Sequence, residues 1–123
     1  MTYALIAVFG AAGAISRYWV DSQLGDLTHS QFPWGTFAIN VVGAFALGLL
    51  IAVTTERLIP DPSWRVALGV GYLGSFTTFS TFAYESVRLA EGGAVGLALV
   101  NSVGMVALGM LAAFTGLAIG RAL

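Results

Sequence analysis

The sequence predicts an all-α membrane protein: four transmembrane helices, the third of them broken, paired as an antiparallel, dual-topology dimer. Of 123 residues, 58% are hydrophobic and only 9% charged, with a mean hydropathy of +0.88, whereas about a quarter of a soluble domain is charged. Residues 1–16, 31–55, 66–84 and 92–120 each lack Asp, Glu, Lys and Arg, and about 20 apolar residues cross a hydrocarbon core of about 30 Å. Within the third stretch, Gly71 to Phe82 reads GYLGSFTTFSTF, with hydroxyls at Thr77, Thr78, Ser80 and Thr81.

The expected helices, about 2–21, 34–55, 64–89 and 93–120, form one four-helix transmembrane domain over the chain. Helix 1 lacks the basic leader of a signal peptide and runs past Arg17, so it reads as a membrane span. Loop 1, Asp21 to Pro33, carries the single histidine, His29, and Pro33 suits the start of helix 2. Loop 2, Glu56 to Ser63, places Pro60 and Pro62 around Asp61 and reads as a turn. Loop 3 is the short Glu91-Gly92-Gly93. Trp19, Trp34 and Trp64 fall at helix ends, where indole rings anchor at the interface. Ala44 and Gly48, Ala112 and Gly116, and Gly116 and Gly120 recur at the spacing that lets membrane helices pack closely.

Several classes are excluded. Cysteine is absent, so there are no disulfides or thiolate metal sites. No basic cluster exists to hold nucleic acid, and no nucleotide motif points to ATP-driven transport or to an enzyme. Arg57, Arg65 and Arg121 belong to one side of a four-span topology and Arg17 and Arg88 to the other. With basic residues so nearly balanced, orientation is weakly set. Dual insertion then permits an antiparallel dimer, the two-chain counterpart of inverted repeats.

Each polar group within a span needs a partner, because an unsatisfied one in hydrocarbon is strongly disfavoured. Gly69, Gly71 and Gly74 weaken helix 3, and Thr77 and Thr78 can bond back to carbonyls. Two readings follow: a close-packing glycine-rich helix, or two half-helices joined by unwound backbone at an ion site. Carbonyls freed at such a break suit a small monovalent cation; N–H groups and hydroxyls suit an anion. Asn40 and Asn101 are each either interhelical ties or donors to a pathway. Phe76, Phe79 and Phe82 form an i, i+3, i+6 stripe, either packing or a line of electropositive ring edges. Glu85 and Arg88 read as a local ion pair, or Glu85 as a gate. Arg17 snorkels to the surface or draws anions into a vestibule.

Three motifs, GAAGAISRYW (Gly10 to Trp19), GTFAIN (Gly35 to Asn40) followed by Gly43, and GSFTTFSTF (Gly74 to Phe82) followed by Glu85, carry a resemblance to the CrcB/Fluc family of small bacterial fluoride channels. The resemblance spans all four helices. It implies passive export of cytoplasmic fluoride through two pores per antiparallel dimer in the bacterial inner (plasma) membrane. It also implies a central structural sodium ion held by the Gly74 and Thr77 carbonyls. Phe79 and Phe82 would turn ring edges to fluoride, Asn40 would donate its amide N–H, and Ser80 and Thr81 would supply hydroxyls. Glu85 would stand at the far reach of the pore, Asn101 on its helix-4 side and Arg17 in the vestibule. The family often has hydroxyls one and two turns after Asn101; here they are Met105 and Gly109. Such a thinned track fits one partner of a heterodimer, while the balanced arginines favour a homodimer.

A proton-coupled multidrug exporter of this size needs a membrane carboxylate in helix 1, and helix 1 has none before Asp21 at its expected end. A purely structural subunit would leave the hydroxyl–phenyl pattern of helix 3 unexplained.

Overall fold

The computed structural model describes residues 1–56 and 62–123. Helices α1 (Thr2–Thr28) and α2 (Trp34–Glu56) are followed by α3 (Pro62–Val66), a π-helical segment (Ala67–Leu73), α4 (Gly74–Phe76), α5 (Phe79–Glu91) and α6 (Val95–Ala122). Thr2–Thr28, Trp34–Thr55, Ser63–Glu91 and Val95–Ala122 are each long and apolar enough to span a membrane. The turn expected around Pro60 and Asp61, together with Arg57, lies outside the described residues.

Helix α1 continues beyond its expected end near residue 21 to Thr28. Polarity does not terminate a helix, and Asp21 to Thr28 contains no proline. Ser22 and Thr28 hydroxyls bond back to the Trp19 and Leu24 carbonyls, and His29 closes the helix in the left-handed region (φ 43°). At the other tight connection, Gly93 takes φ 83°, a conformation that glycine adopts without steric penalty. There the N–H groups of Gly92, Gly93 and Ala94 return to the Arg88, Ala90 and Leu89 carbonyls.

The small-residue spacings resolve into one intramolecular seam between α2 and α6. A Cβ on Gly48 would overlap the Ala113 carbonyl, and one on Gly116 the Phe45 carbonyl. Backbones meet here at a distance only glycine permits, which supplies the van der Waals contact that drives packing in lipid. On the opposite side α1 lies against the π-helical segment, with Gly13 directly over the Tyr72 carbonyl. The Tyr72 hydroxyl donates to Ser16 Oγ at 3.1 Å, tying the same pair. The π-helical geometry shows in Gly74, whose N–H reaches back to the Gly69 carbonyl. Such segments are rare and recur at functional sites.

Candidate functional site

Span 3 is broken at Thr77 (φ −79°, ψ 157°) and Thr78 (φ −150°, ψ 113°), both extended. The span is therefore two helical segments joined by extended backbone. Asn40, on the facing side of α2, clasps the break. Its Oδ1 accepts the Thr78 N–H at 2.7 Å and its Nδ2–H donates to the Thr78 carbonyl at 3.0 Å. The side-chain amide thus replaces a neighbouring peptide group. Its second N–H has no hydrogen-bond partner among the described residues.

This clasp decides which carbonyls are released. In a continuous helix the Thr78 N–H would bond to the Gly74 carbonyl; it goes to Asn40 instead. Likewise the Thr81 N–H, the helical partner of the Thr77 carbonyl, goes to Thr78 Oγ1 at 3.2 Å as the N-cap of α5. Gly74 and Thr77 consequently each present a carbonyl without its helical donor. Both line a cavity of ≈ 270 Å³ with Asn40, Gly43, Leu47 and Leu73. Gly43 sits under Thr77, where a Cβ would collide with the Thr77 methyl.

Charge is organised without a formal ion. The C-terminal end of α4 brings its carbonyls, and the N-terminal end of α5 its N–H groups, to the same two-residue break. Helix ends of those kinds carry partial negative and positive charge respectively. The Thr78 hydroxyl donates to Thr81 Oγ1 at 3.0 Å, which leaves the Thr81 hydroxyl hydrogen available as a donor. Ser80 Oγ lies 3.4 Å from Thr78 Oγ1 and is exposed on α5.

The phenylalanine stripe is divided by the break. Phe76 is buried and stacks on Tyr72 at 5.9 Å. Phe79 and Phe82 form a separate edge-to-face pair, centroids 5.6 Å apart and planes at 62°. Phe79 is 79% exposed in the chain, whereas Phe82 is buried.

Toward the end of the span, Glu85 Oε1 accepts the hydroxyl of buried Thr36 at 2.8 Å, and its Oε2 is buried without a hydrogen-bond partner among the described residues. It forms no ion pair with Arg88, although both line the same ≈ 500 Å³ cavity with Gln31, Pro33 and Tyr84. Asn101 stands apart, wholly buried between α6 and α5 and bonded to Ser86. Arg17 lies half-buried on α1 and shares no hydrogen bond or ion pair with any of these groups.

Thr36, Thr78 and Ser86 were not anticipated as partners. Thr36 lies one helical turn before Asn40, and Ser86 one turn after Phe82, so their spacing was the available signal.

Residues 4–117 match the family model described as CrcB-like protein, Camphor Resistance (CrcB). A protein of Acidobacterium capsulatum called "Fluoride-specific ion channel FluC" is 41% identical over 98% of this chain and 97% of its own length. Proteins with the same name from Solibacter usitatus (41%, 98% and 99%) and Geotalea uraniireducens (40%, 99% and 98%) are similar to it along their whole lengths. With its four apolar spans, the broken third helix and this match across nearly all of its residues, the chain is a multi-pass membrane protein belonging to the CrcB family.

Proposed function

We propose that this chain is a fluoride-selective channel that releases cytoplasmic fluoride passively, with two pores per antiparallel dimer. The carrying observation is the Asn40–Thr78 clasp, which gathers hydrogen-bond donors at a break in a membrane helix. Fluoride is small and strongly hydrated, so a path for it must replace water with donors. The second Asn40 N–H, the Thr81 and Ser80 hydroxyls and the positive edges of Phe79 and Phe82 are donors of that kind. None carries full charge, so none holds the ion too tightly for exit. Glu85 lies farther along, steadied by Thr36, and Arg17 raises the local anion concentration at the vestibule. Asn101 belongs to the helix-4 side of the pathway.

The Gly74 and Thr77 carbonyls, each without its helical donor, fit a sodium ion at the dimer centre, since hard oxygen dipoles are its natural ligands. When bound, that ion supplies positive charge to balance the carbonyl ends gathered from both chains. The partner is a second copy of the chain or a paralogue; the near-balanced arginines favour the second copy.

Fluoride efflux from liposomes holding the purified protein, read with a fluoride electrode against a chloride control, tests the proposal. Selective fluoride release is expected. Equal release of both ions, or of neither, rejects it for the homodimer.

A further inference from the structure

A short, partly buried hydrogen-bond chain runs from α6 to the backbone of Phe82. Asn101 on α6 donates from Nδ2 to Ser86 Oγ at 2.9 Å, and the Ser86 hydroxyl donates to the Phe82 carbonyl at 2.9 Å. Chemistry fixes its direction. A carbonyl only accepts, so Ser86 must donate to Phe82, and its oxygen then receives the Asn101 N–H. The same orientation leaves Asn101 Oδ1 buried with no partner among the described residues.

We propose that Asn101 and Ser86 are positioning residues for Phe82, holding the turn of α5 that aims its ring. The inference rests on the fluoride-channel reading and deepens it. A serine hydroxyl bonded to the carbonyl four residues back bends a helix at that turn. Donation from Asn101 polarises the hydroxyl and strengthens the back-bond. The ring of Phe82 meets Phe79 edge to face, so a change in the α5 bend re-aims the edge. Asn101 itself is 0% exposed even in the single chain, so it acts from behind the ring and does not touch the ion. Because Met105 and Gly109 supply no hydroxyl, this chain's α6 influences the path through Phe82.

The test uses the full-length dimer with 4-fluorophenylalanine incorporated at position 82 alone, alongside unlabelled protein in liposomes. Ser86→Ala and Asn101→Leu should each change the fluoride-to-chloride permeability ratio by the same factor, about threefold to tenfold for one hydrogen bond. The double variant should go no further, and Ser86→Thr should restore the original ratio. Both single variants should also move the fluorine resonance of residue 82 to a common new position. Multiplying effects, or a Ser86→Ala variant indistinguishable from the parent while Asn101→Leu is altered, overturns the proposal. A parent that conducts no fluoride rejects the channel reading instead. In that case the fluorine resonance decides alone, and one that stays in place in both variants overturns the positioning role.

Discussion

Asn40→Asp is nearly isosteric and separates the two halves of the clasp. The carboxylate keeps an acceptor for the Thr78 N–H, now 2.7 Å from Asn40 Oδ1. It removes the donor that spans 3.0 Å to the Thr78 carbonyl and sets oxygen against oxygen. A lost hydrogen bond is worth about 1 kcal/mol, and an unpaired part-buried acceptor costs about 1–3 kcal/mol more. The sum, about 2–4 kcal/mol, lowers the equilibrium constant for the clasped state by roughly 30- to 700-fold at about 1.4 kcal/mol per decade. The pathway also loses its free amide N–H, so fluoride efflux should fall well beyond twofold. The assay is fluoride-electrode efflux from liposomes, with size-exclusion chromatography in detergent to confirm that the dimer persists. Asn40→Leu, lacking both bonds, should abolish flux and allow the Thr78 N–H to return to the Gly74 carbonyl. Flux within a factor of two of the parent in the Asn40→Asp dimer would refute the reasoning, because it would show that neither the clasp nor the donor is required.

Phe82→Ile should sharply reduce fluoride efflux while leaving the dimer intact by chromatography, since an aliphatic chain has no positive edge. Thr36→Val takes the one donor from Glu85 Oε1 and should lower stability by about 1–3 kcal/mol in a reversible unfolding assay. Gly116→Val drives a side chain into the Phe45 carbonyl and should cost at least about 1–3 kcal/mol, read as loss of folded dimer in detergent. Replacing sodium with a large organic cation should lower the thermal unfolding temperature of the parent, and Gly43→Ala, which displaces Thr77, should blunt that sodium dependence.

The four spans were legible because membrane crossing imposes a length and an apolar content that little else imitates. The break was legible for a related reason: three glycines, followed by four hydroxyls in the five positions from Thr77 to Thr81, leave polar groups to be satisfied within span 3. Its detailed form was not. The π-helical turn lies where α1 seats Gly13 against Tyr72, a tertiary fit with no local signature. Helix α1 outran its expected end because its polar last turns were read as a loop, when nothing in them stops a helix. Asn40 was recognisable as a polar residue needing a partner, but that partner is the backbone of Thr78, and backbone groups leave no trace in composition. Asn101 differs, because its partner is the Ser86 hydroxyl, a side chain visible in the sequence, and only the onward bond from Ser86 ends on a backbone group, the Phe82 carbonyl.

The clasp also has a direction in time. A broken span carries unsatisfied peptide groups, and those oppose its passage from the ribosome exit into lipid. Asn40 precedes Thr78 by 38 positions in the chain. Synthesis runs from the N-terminus, so α2 has emerged before the break is translated. The amide that satisfies the fault is therefore made ahead of the fault itself, and α6, with its glycine seam, arrives last to lock α2 in place.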